Sequence, residues 1–154
     1  MLKKIPFRKI LPALLVIFIL MQFYRIDKTN PPVVEAKDFI LSENPPAPIA
    51  KILKDACYDC HSHQTNYPWY TNVMPFSYWI KGHIDHGRKK LNFSTWAAYP
   101  AKKKSHKLEE CAEFVRETKM PLATYLIPHP EARISEEERE RLAKWFELVR
   151  GQME

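Results

Sequence analysis

Apolar residues recur every three to four positions in four separate stretches of the chain. In residues 48–60 the stripe is Ile49, Ile52, Leu53 and Ala56, the spacing of one face of an α-helix. In residues 76–91 it is Phe76, Trp79, Ile80, His83, Ile84, Gly87 and Leu91. A third helix is expected over residues 104–119, with Leu108, Cys111, Ala112 and Val115 on one face and Phe114 beside it. The fourth begins at Ser135. Ser135 and Glu138 have the spacing of a capping box, and Leu142, Trp145, Phe146 and Val149 follow up to Gly151. No stretch alternates apolar and polar positions as a half-buried strand does. The pattern predicts an all-α domain of about four helices.

Prolines punctuate the rest. Asn30-Pro31-Pro32 and Asn44-Pro45-Pro46-Ala47-Pro48 bracket Val33–Leu41, so residues 28–47 read as a stiff linker and residues 48–151 as the domain. The run Lys102-Lys103-Lys104 reads as a solvated loop, and Ser94 as a cap for a short turn. Ahead of the linker, Lys3, Lys4, Arg8 and Lys9 precede an apolar run, Ile10–Tyr24, in which Gln22 is the strongly polar exception. A helix over that run covers about 22 Å, short for a membrane unless residues 5–7 join it. No small-x-small cleavage site follows. Residues 1–27 are therefore expected to form an uncleaved signal anchor, a single transmembrane helix, in preference to a cleaved signal peptide. Basic residues before the run place the N-terminus inside and the domain outside.

Charge adds little. Lys and Arg total 24 against 18 Asp and Glu. Residues 1–28 hold six of the bases and one acid, which leaves 18 bases and 17 acids in the remainder. The excess belongs to the N-terminal tail, and no basic stripe interleaved with aromatics is present, which argues against a nucleic-acid partner.

The chemistry concentrates in Cys57-Tyr58-Asp59-Cys60-His61. C-x-x-C-H is the spacing of covalent c-type haem attachment. Two thiols at i and i+3 reach one edge of a porphyrin and form thioethers, and the next histidine ligates iron. The pair Cys57 and Cys60 also suits half a zinc site, a redox dithiol or a disulfide; with His83 and His86 it forms C-x-x-C…H-x-x-H, tighter than usual for zinc. Of three cysteines, Cys111 is left over and falls on an apolar stripe as a small core residue. The aromatic stretch Tyr67-Pro68-Trp69-Tyr70 could wall a haem or fill a small core.

With His61 as the proximal ligand, Met120 is the first choice opposite. It follows a helix and precedes Pro121, and a thioether in a Pro-stiffened loop raises the reduction potential. Met74-Pro75 lies too close in sequence to pass easily around the ring edge. His83, on the apolar face of the second helix, is the rival distal ligand. His63, His86 and His129 rank lower, and His106 beside the lysines is solvated. Arg88 pairs with a haem propionate or is a surface residue.

The spaced residues Ala56-Cys57-Tyr58-Asp59-Cys60-His61-Ser62, Thr65, Tyr67-Pro68-Trp69-Tyr70, Pro75, Trp79, His83, Gly87-Arg88, Leu91-Asn92-Phe93-Ser94 and Trp96 resemble a bacterial family of C-x-x-C-H haem-binding domains. So do Met120-Pro121, Tyr125, His129-Pro130, Ala132, Ser135 and Trp145. The resemblance covers roughly residues 30–150. It implies a small cytochrome c-like helical domain with one haem c, tethered to a membrane or exported, of a kind also found fused to cytochrome c and di-haem peroxidase modules. The expected protein is a single-pass inner-membrane, mono-haem electron carrier, not an enzyme. Its haem domain lies on the periplasmic side and exchanges electrons with a redox protein such as a di-haem peroxidase or a membrane oxidoreductase. The alternative is a haem sensor or peroxidase-like protein with an open or labile sixth position, in which His83 or His129 supplies distal acid–base chemistry.

Overall fold

The computed structural model describes residues 7–153. Among them are seven α-helices and no strand: α1 (Phe7–Met21), α2 (Phe39–Glu43), α3 (Ala47–Ala56), α4 (Tyr58–His61), α5 (Phe76–Lys90), α6 (Ala101–Arg116) and α7 (Glu136–Gly151). Short 3-10 turns at Glu35–Lys37, Trp69–Asn72, Phe93–Ala98 and Pro130–Ala132 complete the architecture. The four long apolar stripes correspond to α3, α5, α6 and α7. The helices α2 and α4 are five and four residues long, too short for any periodicity to show.

The antiparallel pair α6–α7 forms one wall of the core. Leu108, Ala112 and Val115 meet Leu142, Phe146 and Val149, all buried. Arg116, at the end of α6, reaches across to Glu140 and Glu147 of α7, and Arg150 reaches back to Glu109. The α7 start is the expected capping box: the Ser135 side chain accepts from the Glu138 N–H, and the Glu138 carboxylate accepts from the Ser135 N–H at 2.8 Å. The helix α6 begins three residues earlier than expected. Lys102, Lys103 and Lys104 therefore lie in its first turns, not in a loop. Cations are disfavoured at a helix N-terminus, but Lys103 sits 3.8 Å over the Tyr99 ring and Lys104 5.7 Å from that of Trp96, attractions that offset the penalty. The preceding turn is capped by Asn92, whose side chain accepts from Ser94 N–H, with Ser94 receiving the cap.

Part of the expected linker is core. Asp38 caps α2 by accepting from Ile40 N–H, and this turns Phe39 inward until it is 0 % exposed. Its ring stacks on Phe93 at 4.7 Å and meets Trp96 and Trp145 edge-on at 4.7 and 5.6 Å. Asn44, left-handed at φ 45°, ends α2 as Asn does at C-caps, and the chain then enters α3. The packed unit thus begins near residue 35 and not at 48.

The expected transmembrane helix is not borne out. The helix α1 spans 15 residues with Pro12 inside it, about 22 Å of rise, whereas a bilayer core needs about 20 apolar residues. Among the described residues no helix is long and apolar enough to cross a membrane. The expectation of a single-pass inner-membrane protein with a periplasmic domain falls with it. Just past the helix end, the Gln22 side chain ties α1 to the domain: its Oε1 accepts from Met74 N–H at 3.0 Å, and its Nε2 donates to Phe18 O at 2.8 Å. Lys3, Lys4 and residues 5–6 lie outside the described residues.

Candidate functional site

The C-x-x-C-H pentapeptide forms a single helical turn set at a break from α3. Cys57 closes α3 by donating its N–H to Leu53 O, and its own carbonyl accepts from His61 N–H at 2.9 Å. At φ −126° and ψ −41°, Cys57 is where the chain changes direction. Tyr58 anchors the turn. Its ring is buried against Phe93, 5.3 Å away and nearly parallel, and its hydroxyl donates to Asp38 Oδ1 at 2.9 Å.

This orientation separates the two thiols. Cys57 packs against the hydrophobic core, as does Cys111, while Cys60 lines a surface cleft. Burial pushes the Cys57 thiol up to about 12 and that of Cys60 to about 11, so both are protonated at neutral pH. His61 donates from Nδ1 to Leu91 O at 3.1 Å. A carbonyl only accepts, so Nδ1 carries the proton and Nε2 keeps its lone pair. Burial also lowers the His61 pKa, which keeps the ring neutral. A second hydrogen bond that fixes tautomer and orientation is the usual support of a metal-ligating histidine.

The helix α5 crosses the motif at backbone contact through Gly87. A Cβ there would lie 2.6 Å from Cys60 O and 3.3 Å from Cys60 C. One turn position on, Arg88 donates to Ser62 O at 2.7 Å, Asn30 Oδ1 at 2.8 Å and Thr65 Oγ1 at 2.9 Å. It clamps the segment after the motif, a role neither sequence reading of Arg88 gave it.

The cleft leaves about 70 Å3 of free space and is partly open to solvent, well below the several hundred Å3 of a small-molecule site. Tyr67, Tyr70, Trp79, Ile84, Leu122 and Tyr125 form its walls. The aromatic stretch after the motif therefore lines a cavity. Asp59, His83 and His129 also face it. Tyr125 donates to Asp59 Oδ2 at 2.7 Å and stacks on His129, centroids 4.1 Å apart. His129 is bonded through Nδ1 to Glu131 at 2.7 Å and through Nε2 to the Tyr70 hydroxyl. His83 donates from Nδ1 to Trp79 O at 2.9 Å.

Of the sequence-derived candidates, then, Cys60 and His83 share the cleft; Cys57, His61 and Met120 are not among its lining residues. Met120 is half-buried on the loop after α6. Its N–H donates to Phe114 O at 3.1 Å, and its carbonyl accepts from buried Arg139, which also holds Val115 O. Met74 Sδ accepts from Ser77 at 2.8 Å. His63 bonds the Asn92 side chain. His106 is exposed beside Glu109 and Glu110. No group of three or more His, Cys, Asp or Glu is placed to hold a metal ion among the described residues, so Cys57, Cys60, His83 and His86 do not assemble a zinc site. Sequence reading missed the Asp59–Tyr125 and Tyr70–His129–Glu131 pairings. It also missed the close approach at Gly87, although an isolated glycine inside a helix is a signal of one.

A C-x-x-C-H turn beside an aromatic cleft, with a neutral imidazole held through Nδ1 by the Leu91 carbonyl, has the features of a porphyrin-binding class of helical domain. A family model described as a haem-binding domain matches residues 16–148, and the chain belongs to that family, with haem as its cofactor. No curated protein and no solved structure matches the chain. The donor types suit the group, paired thiols and an imidazole of fixed tautomer, while Cys57 and His61 lie outside the cleft that Cys60 lines.

Proposed function

We propose that the chain holds one haem covalently, through thioethers at Cys57 and Cys60, with His61 as an iron ligand, and that it carries electrons to and from a redox protein. The observation that carries the reading is the His61 ring, held neutral with Nδ1–H on Leu91 O, directly after the paired thiols. When bound, haem supplies a one-electron ferric/ferrous couple. The chain's own residues do the rest. Tyr58 and Gly87 fix the attachment turn. Trp79, Tyr67 and Leu122 line the cleft and would exclude water from a bound haem, which would tune its potential together with the residues that hold the iron.

Met120 is proposed as a further residue that would hold the iron, on its Met-Pro context, with Arg139 holding the loop backbone. One observation favours His83 as the competing ligand: it lines the cleft beside Cys60 with its Nδ1 already committed to Trp79 O, leaving Nε2 open. The test is the visible spectrum of protein matured with haem-attachment machinery, compared with Met120→Ala and His83→Ala. The reading expects a six-coordinate spectrum that one of the two variants converts to a five-coordinate, carbon monoxide-binding form. A wild-type protein that binds carbon monoxide at once contradicts a held sixth position. Wild-type protein without haem contradicts the whole reading.

A further inference from the structure

No Asp or Glu stands between Asp85 and Glu109, a stretch that holds seven Lys and Arg. The fold brings its two basic ends together. Lys89 and Lys90 close α5, and Lys102, Lys103 and Lys104 open α6. The Tyr99 hydroxyl accepts from Asn92 N–H at 3.0 Å, just past the α5 end, and Lys103 Nζ lies 3.8 Å over the same ring. Lys89, Lys90, Lys102 and Lys103 are all exposed. Among the described residues the lysines in ion pairs are Lys51, Lys81, Lys107, Lys119 and Lys144, and these four are not. Glu35 and Glu43 sit on elements packed against the intervening turn, yet neither pairs with them, and Glu43 accepts from Trp96 Nε1. Lys102 adds its charge at the α6 N-terminus, where cations are disfavoured, without an ion pair to relieve it. A local cost left uncompensated within the chain is a mark of a functional surface.

The space between the lysines is small and uncharged, with Ala97, Ala98, Pro100 and Ala101 exposed. An uncharged centre with a charged rim is the anatomy of a small, transient protein interface, and a basic rim selects an acidic partner. The face also adjoins the motif: Leu91, next to Lys90, offers the carbonyl that holds His61 Nδ1. A nucleic acid fits less well. Arg88 is spent on Ser62, Asn30 and Thr65, Trp96 is buried and Tyr99 is covered by Lys103, so the face offers neither a free guanidinium fork nor an open ring for a base.

We propose that the lysine face formed by the end of α5 and the start of α6 docks an acidic one-electron redox protein. The inference rests on the electron-carrier reading above and adds to it the place and the charge of the partner.

The probe is a plant-type two-iron ferredoxin, an acidic one-electron protein. Docking is read without haem, from the amide NMR shifts of the isotope-labelled full chain as ferredoxin is added. The shifts should gather at Lys89, Lys90, Ala98 and Lys102 and vanish at high salt. In the haem-loaded protein, reduced ferredoxin gives one electron to the ferric haem, and stopped-flow absorbance follows the transfer. Its second-order rate should fall as ionic strength rises, and replacing Lys89, Lys90 and Lys102 together by Gln should lower it about tenfold at low ionic strength. Replacing Lys119, Arg141 and Lys144 by Gln removes the same charge from other exposed positions and should change the rate little. No shifts, shifts spread evenly over the surface, or a DNA duplex that binds more tightly than ferredoxin at the same ionic strength overturns the proposal. So does a rate that ignores salt or falls equally in both variants. A colourless protein that still docks ferredoxin on this face keeps the surface and sinks the haem reading; a haem-loaded protein whose lysine face gives no shifts does the reverse.

Discussion

Adding one methyl group at Gly87 should destabilise the fold, while the same change at Gly82, in the same helix, should stabilise it. Both glycines lie inside α5, and alanine is favoured over glycine in a helix interior by about 1 kcal/mol. At Gly82 a Cβ would meet nothing within 4 Å, so that gain is realised in full. At Gly87 the new Cβ would be 2.6 Å from Cys60 O and 3.4 Å from Cys60 Cβ. The obstacle is a backbone carbonyl inside the C-x-x-C-H turn, which no rotamer change can move. Relief requires α5 and α4 to separate, and forcing extra volume into a packed contact costs roughly 1–3 kcal/mol. Subtracting the propensity gain leaves a net loss of up to about 2 kcal/mol at Gly87. The propensity term is common to both variants, so their difference isolates the steric cost. Urea and thermal unfolding of the full chain read it. For a chain of this size about 1 kcal/mol moves Tm by roughly 2–4 °C, with Gly82→Ala rising and Gly87→Ala falling. Equal shifts in the same direction would refute the close approach and the placement of the motif against α5.

Other consequences follow from the same contacts. Phe39→Ala should cost roughly 3–5 kcal/mol, and a fragment starting at residue 48 should lack a cooperative transition, as denaturant unfolding would show. Arg88→Ala should lower stability by about 2 kcal/mol, as three charge-assisted bonds are lost from a half-buried guanidinium; Arg88→Lys should recover only part, since an ammonium lacks the fork geometry. The Glu138 carboxylate, held by the Ser135 N–H, and those of Glu140 and Glu147, held by Arg116, sit below their ordinary value of 4.5. Their contribution is therefore present above that value and is lost as pH falls through the lowered ones. Arg116→Gln should flatten the acid limb of a Tm–pH profile below the ordinary carboxylate value of 4.5.

What could be read from the chain alone follows a physical division. The helix α7 was legible because its cap is local: Ser135 and Glu138 are three residues apart, and its stripe needs no partner to be seen. The C-x-x-C-H motif was legible for the same reason, being five consecutive residues. Phe39 was not, because it sits in a five-residue helix between prolines, where no window of periodicity exists. Its burial depends on Phe93, Trp96 and Trp145, all more than fifty residues away. The cleft was hidden likewise. Tyr125 meets Asp59 across 66 residues and Tyr70 meets His129 across 59. Hydropathy alone overran at the N-terminus. The run to Tyr24 is apolar, but the α-helix stops at Met21, and the N–H groups of Gln22, Phe23 and Tyr24 bond to carbonyls three residues back as the last turn tightens.

The measurement closest to the central claim is the intact mass of the denatured full-length protein after maturation with haem-attachment machinery. Thioethers survive denaturation, so the account predicts polypeptide plus one haem in the wild type. It predicts bare polypeptide when Cys57 and Cys60 are both replaced by alanine, with Cys111→Ala retaining the full adduct. Wild-type protein at the mass of the bare chain, or an adduct that persists without Cys57 and Cys60, would contradict it.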